Sequence, residues 1–461
     1  MKVKLLSSAV SIMILLTACT SCAGSKAEEQ RQVSGTPNFA GAYKEMSTPA
    51  FWIDGVENPD EILMTAHQIE KFNKNIVSTE ATNCVDLNRY KRSLSKEELL
   101  KQLQKYKIPE ETRYIGATPL ADDYYETLFL NRNEESVAAQ NPVRLGVITQ
   151  NAELRTWPTA DVSYNEIDDI DFDLSCETVL KTGERVAILH ESTDRKWLYV
   201  QAYSYIGWAR AEDVALCTED EWNTIGKNTD WLTVTGNRII LDVNNVKPKV
   251  SRRELTMGTK LILLQDKPDA IDGISTISSY VVLLPVRNEK GALELVETRV
   301  PQSLDVTVGF LAYTPRNIIE QAFKMLGERY GWSGLWDARD CSNYTMDIYH
   351  CFGIELPRNS RHQAAVAGAR VDVSNYSDAD KQALILRQPV GTLIEFKGHI
   401  MLYLGAYKGK PYVIHQPYAF IPAGETEKTV AACVLVSDLA IKRGSGAVFL
   451  SEIRTVNALV K

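Results

Sequence analysis

The spacing of apolar residues changes character along this chain, and one core cannot accommodate all of it. Residues 37–137 carry helical periodicity, residues from about 143 to 304 fall into short β-rich runs broken by turns, and a helix followed by strands fills the rest. At 461 residues the chain also exceeds what a single hydrophobic core organises. The pattern predicts an α+β multidomain protein.

Within 37–137, "PDEILMTAHQIEKFNKNI" predicts a helix led by Pro59, with Ile62, Leu63, Ala66, Ile69 and Phe72 on one face. A second helix follows in "SKEELLKQLQKY", where Ser95 and Glu98 have capping-box spacing. His67 lies on the surface of the first helix and reads as structural. In the third region "TPRNIIEQAFKMLGERYGW" predicts a helix capped by Thr314, with Pro315 in its first position. The strand-like runs "GTLIEF", "HIMLYLG" and "PYVIHQP" come after it.

The first 18 residues read as a targeting segment: Lys2 and Lys4 precede an apolar run, Leu5 to Leu16, too short to span a bilayer. "LLTAC" resembles the bacterial lipobox, which makes Cys19 the lipidated residue and the envelope, at the periplasmic face of the outer membrane, the expected address. Thr20, in place of the aspartate linked with inner-membrane retention, underlies the choice of membrane. Residues 19–36 are small and polar and read as a tether. A net charge of −8 with no polybasic run argues against nucleic acid as a partner.

Apart from Cys19 and Cys22, six cysteines remain, at 84, 176, 217, 341, 351 and 433, without metal-ligand spacing. A Cys176–Cys217 bridge is one possible pairing. The motif "RDCSNYTMDIYHCFGIELPRNS" separates Cys341 from Cys351. Helical spacing puts Cys341 in a first turn capped by Asp340, where free N–H groups and the helix dipole favour a thiolate, and puts Cys351 at the unfavourable end as a core residue. Ten residues of helix, about 15 Å, keep the two thiols from pairing. A nucleophilic cysteine needs a base, and His399 and His415, at the start and end of neighbouring strand-like runs, can meet in an antiparallel pair. His350 and His362 are poorly placed for that role, and His190, with Trp197 and Trp208, reads as barrel structure.

"YGW", "DCSNYTMDIYHCFGIELPRNSRHQ", "GHIMLYLG" and "VIHQ" occur in the order found in NlpC/p60 cell-wall cysteine peptidases, which this region resembles. "TGERVAILHES", "KWLYVQ" and "GWARAEDV" resemble bacterial SH3-like domains. The resemblance implies a papain-like catalytic domain at 305–461, SH3-like barrels at 138–220 and 228–304, and a mostly helical domain at 37–137. It also implies Cys341 as nucleophile, His399 as general base and acid, His415 as its orienting partner and Tyr330 as an oxyanion contact. Asp340 and Ser342 match residues of a substrate pocket. The family pattern further implies an acid and a tyrosine from the first barrel, for which Asp173 and Tyr205 are the expected matches and Asp171 and Tyr203 the neighbouring alternatives. The implied activity, needing no cofactor or metal, is cleavage of the γ-D-glutamyl bond to diaminopimelate or lysine in peptidoglycan stem peptides or muropeptides, on peptides with a free N-terminal L-alanine. An N-acetylmuramoyl-L-alanine amidase and a non-catalytic wall-binding lipoprotein are the alternatives, and a monomer is expected.

Overall fold

Capping chemistry decides where the first long helix begins. In the computed structural model, which describes residues 31–167 and 169–460, helix α1 spans Ala66–Ser78. The Thr65 side chain accepts from the Gln68 N–H while the Gln68 side chain accepts from the Thr65 N–H at 2.8 Å, so this capping box and not Pro59 starts the helix. Ile62 therefore lies off the helix and is 60% exposed. Helix α2, Lys96–Leu103, does begin with the Ser95–Glu98 box, and α3 spans Asp122–Asn131. Cys19 and the start of the tether lie outside the described residues. Among those described, no helix is long and apolar enough to cross a membrane.

The helices of 37–137 divide their buried faces among three clusters. Phe51, Trp52, Ile69, Phe72 and Ile76 join the core of the C-terminal region, with Trp52 5.5 Å from the Tyr412 ring. Leu94, Leu99 and Leu103 pack instead with Leu189, Tyr199 and Trp208 of the barrel that follows. Tyr125 and Leu128 of α3 close over Trp157. The segment thus ties later units together.

The first barrel is a seven-stranded antiparallel sheet of β1 Arg144–Ile148, β2 Ala152–Arg155, β3 Cys176–Leu180, β4 Arg185–Glu191, β5 Trp197–Gln201, β6 Ile206–Arg210 and β7 Val214–Cys217. Its order is β7-β1-β4-β5-β6-β2-β3. Cys176 and Cys217 sit on the two outermost strands of that order and both are free thiols, so they form no bridge. Trp197 and Trp208 are buried in the sheet's packing.

A second antiparallel sheet, β8 Trp231–Val234, β9 Lys260–Leu263, β10 Ser279–Arg287, β11 Leu293–Pro301 and β12 Val306–Val308, has the order β11-β10-β9-β8-β12 and its own core around Leu255, Val282 and Leu284.

In the C-terminal region, helix α4 is Pro315–Phe323, capped by Thr314 with Pro315 first, and helix α5 is Cys341–His350. They pack on a six-stranded antiparallel sheet, β13 Ala369–Asp372, β14 Leu393–Phe396, β15 His399–Tyr407, β16 Lys410–His415, β17 Leu435–Asp438 and β18 Thr455–Ala458, in the order β13-β18-β14-β15-β16-β17. Strand alternation sends Ile400, Leu402 and Leu404 towards the helices and Met401 and Tyr403 into a second core on the opposite face.

Candidate active site

Asp340 ends the loop before α5 and caps it: its carboxylate accepts from the backbone N–H groups of Ser342 and Asn343 at 3.1 and 2.9 Å. Cys341 is therefore the first residue of α5, as its spacing predicts, while Cys351 lies wholly buried at the far end with its sulfur near the Asp347 and Val234 carbonyls. The free thiolate expected at the helix start is not the resting state. Burial pushes the Cys341 thiol up to about 12, and the neighbouring Asp340 carboxylate adds to the rise. Hydrogen bonds from the Ile400 and Ser342 backbone N–H groups and the charge of Arg358 pull the other way without overcoming desolvation.

The Ile400 contact puts the sulfur at the start of β15. Gly398, with φ of 88°, makes the turn from β14 that begins this strand with His399. β15 and β16 pair with Leu402 opposite Ile414, and β16 pairs with β17 so that His415 faces Leu435 and Val413 faces Ser437. Diagonal neighbours across these strands form a line: His399 Nε2 lies 2.7 Å from His415 Nδ1, and His415 Nε2 lies 2.9 Å from Ser437 Oγ. Burial lowers both imidazoles; His399 falls to about 3, with Arg443 adding to the drop and Asp340 opposing it. Burial thus favours the neutral form of the thiol and of both imidazoles.

A cleft of about 690 Å³ opens over Cys341, lined by Tyr330, Trp332, Asp340 and Ser342 and, from the first barrel, Glu177 and Tyr205. Tyr330 is 9% exposed, and its hydroxyl makes no hydrogen bond among the described residues. Ser342 Oγ accepts from Arg358 at 2.8 Å, and Arg358 also pairs with the Asp340 carboxylate at 2.6 Å. Burial raises the Asp340 carboxyl, but Arg358 and the N–H donors outweigh it and hold it below the usual carboxylate range.

Asp173 does not reach this cleft. It is buried in the first barrel, paired with Arg155 at 2.9 Å and accepting from the Ser163 and Ser175 backbone N–H groups, each at 3.0 Å. Nor does Asp171 line the cleft; it accepts from Arg329 at 2.5 Å and from the Tyr418 hydroxyl at 3.0 Å. The barrel acid in the cleft is Glu177, which sequence reasoning missed. It accepts from the Tyr205 hydroxyl and forms no salt bridge among the described residues. Alternation along β3 was the available signal, since Cys176, Thr178 and Leu180 turn inward and leave Glu177 facing out. Tyr205 is at the expected place, whereas the Tyr203 hydroxyl donates to the Glu355 carbonyl at 3.0 Å. Arg358, within the "LPRNS" motif, was the other residue not singled out.

The barrel also holds the loop that leads to the nucleophile. Ser333, Trp336 and Asp337 have φ of 56°, 60° and 54°, backbone strain that a free loop would relax. Ser333 Oγ donates to the Cys176 carbonyl at 2.9 Å, and Asn151 Nδ2 donates to Asp337 Oδ1 at 2.6 Å. Phe172 of the barrel packs against Tyr330, Trp332 and Tyr418. The remaining histidines stay outside: His67 is exposed on α1, His190 lies 3.1 Å from the Arg132 and Asn133 carbonyls, His350 is at the far end of α5, and His362 contacts Arg361.

Residues 327–431 match the NlpC/P60 family model, and residues 163–210 match a model of SH3 domains of the SH3b1 type. The fold is similar to that of an NlpC/P60 endopeptidase from Photobacterium damselae subsp. piscicida, with 19% identity, 87% of this chain and 94% of that one covered, and a TM-score of 0.69. An NlpC/P60 family protein from Bacillus cereus ATCC 10987 aligns with 21% identity over 69% of this chain and 100% of that one, at a TM-score of 0.49. The comparison with curated protein sequences found no match. The chain carries a papain-like NlpC/P60 domain, with a β-rich SH3b domain N-terminal to it.

Proposed function

We propose that this protein is a cysteine endopeptidase of peptidoglycan stem peptides that cuts the γ-D-glutamyl bond to a diamino acid and requires a free N-terminal L-alanine. The observation that carries the reading is the Glu177 carboxylate, which forms no salt bridge among the described residues and is held by Tyr205 in the same cleft as Cys341. Arg358 already answers the charge of Asp340, and Glu177 is the acid that the first barrel adds to a cleft also lined by Asp372 and Glu395, where it can meet a substrate ammonium.

The chemistry follows from the resting protonation. Because thiol and imidazole are both neutral, the Cys341 proton passes to His399 as the sulfur attacks the scissile carbonyl. The oxyanion is met by backbone N–H at the start of α5 and by the Tyr330 hydroxyl. His399 returns the proton to the leaving amine, a thioester remains on Cys341, and water deprotonated by His399 hydrolyses it. His415 holds the His399 ring through the 2.7 Å contact.

Purified protein incubated with muropeptides should yield L-alanyl-D-glutamate and fragments beginning with the diamino acid, as read by mass spectrometry. Cys341→Ala should abolish both products; cleavage that persists, or products cut between muramic acid and L-alanine, would remove this reading in favour of another nucleophile or an amidase. The lipid anchor on Cys19 is proposed from the sequence alone. Cys19→Ser should move the protein from the membrane fraction to the soluble fraction after cell lysis.

A further inference from the structure

Proton accounting along the histidine line imposes a condition on its last member. His399 Nε2 is occupied by His415, which leaves Nδ1 as the ring nitrogen that can act as the base for Cys341 in the mechanism proposed above. Before transfer, Nδ1 must carry a lone pair, so the ring proton sits on Nε2 and is donated to His415 Nδ1. After transfer both nitrogens of His399 carry protons, and Nε2 still donates to His415 Nδ1. In both states His415 must therefore be the tautomer with its proton on Nε2, and that N–H needs an acceptor. The group within reach is Ser437 Oγ at 2.9 Å, with His415 and Ser437 both completely buried. If Ser437 donated instead, His415 would carry its proton on Nδ1, force His399 to protonate Nδ1, and leave His399 no lone pair for the thiol proton.

Among the described residues no carboxylate hydrogen-bonds to either ring. The charged groups that act on His399 are Arg443 and Asp340, neither at ion-pair distance, and its ring also packs against Phe396 and Phe449. His415 faces His399, Phe449 and Ser437.

We propose that Ser437 is a positioning residue that ends a Cys341–His399–His415 relay: by accepting from His415 Nε2–H it fixes both tautomers so that His399 Nδ1 keeps the lone pair that takes the thiol proton. The inference rests on the Cys341–His399 reading above but is separable from it, because a tautomer is observable without turnover. Ser437 lies beyond the matched family segment, and its neighbours in sequence carry no motif.

The test is nitrogen-detected NMR of ¹⁵N-histidine-labelled protein together with steady-state kinetics on a stem tripeptide. In the wild-type protein near pH 7, His415 should show a protonated Nε2 and an unprotonated Nδ1. Ser437→Ala should convert a fraction of His415 to the opposite tautomer and lower kcat by about tenfold to a hundredfold with KM unchanged. Ser437→Thr, which retains the hydroxyl, should keep kcat within about threefold of wild type. A wild-type His415 protonated on Nδ1 overturns the proposal even if Ser437→Ala does not fold, and so does a folded Ser437→Ala with unaltered tautomer and kcat. Loss of kcat in Ser437→Thr equal to that in Ser437→Ala also counts against it, since the hydroxyl would then be immaterial. The Cys341→Ala experiment judges the parent reading separately.

Discussion

Two β-rich units flank α5, and they serve it in different ways. The first barrel turns polar groups towards open space: Glu177 and Tyr205 line the cleft, and Phe172 and the Cys176 carbonyl brace the loop before the nucleophile. The second sheet's unit spends its polar groups on buried partners. Asn237 accepts from Arg339 at 2.6 Å, the Val234 carbonyl meets the Cys351 sulfur, and Gly258, with φ of 83°, lets its backbone approach His350. Units of similar size and strand content can thus be a chemical partner on one side of a helix and a mount on the other. What separates them is whether their polar groups are left unpaired at the cleft.

The largest stability effect should come from the buried network through which both units hold α5. Asp347 accepts from Arg339 at 2.7 Å and from Lys181 at 2.9 Å, with all three side chains almost fully enclosed. Asp347→Ala leaves the buried Lys181 without its carboxylate partner, while Arg339 keeps Glu328 at 2.7 Å, and should cost about 3–5 kcal/mol in urea unfolding. Glu177→Ala should do the reverse: kcat/KM for a free-amine tripeptide should fall by about tenfold to a hundredfold, the loss of one charged contact, with Tm shifted by less than about 2 °C. If Glu177→Ala destabilises the fold without changing kcat/KM, the first barrel is a mount as well, and the contrast fails.

A smaller effect is expected with pH. Burial lowers His350 to about 4 and His399 to about 3, and lowers His415 also, so the unfolded chain binds more protons than the native one below the ordinary histidine value near 6.5. This contribution to stability is complete above pH 7 and shrinks as pH falls from 7 towards 4. His350→Gln should flatten that decline by about 2 kcal/mol between pH 7 and 5, measured by urea unfolding, and leave the pH profile of kcat unchanged. The smallest change should be Cys351→Ala, about 1 kcal/mol of stability with full activity, set against Cys341→Ala, inactive at nearly unchanged stability.

Legibility in the sequence followed the range of the interaction. Capping boxes at Ser95, the Thr314–Pro315 helix start and the Asp340 cap are settled within a few residues, and each is where its spacing puts it. Thr65–Gln68 was equally local but was outweighed in reading by Pro59. Cys341, His399 and His415 were legible because their surroundings are motifs with fixed order. Glu177 was not, because Asp173 four residues earlier is as acidic, and only Arg155 and two backbone N–H groups, brought in by tertiary folding, hold Asp173 away from the cleft. Ser437 was invisible for the same reason: a serine on a buried strand acquires its role from the histidine beside it. The thiol's resting state was misread because the helix start is local, whereas desolvation is a property of the whole site.

The central claim is that the first barrel makes the cleft selective for a free amine. The most direct measurement compares the rates at which the purified protein cleaves L-Ala-γ-D-Glu-diaminopimelate and its N-acetylated form, with Glu177→Ala alongside. Acetylation should slow the wild-type protein by about a hundredfold and matter much less to Glu177→Ala. Equal wild-type rates on the two peptides would contradict the account.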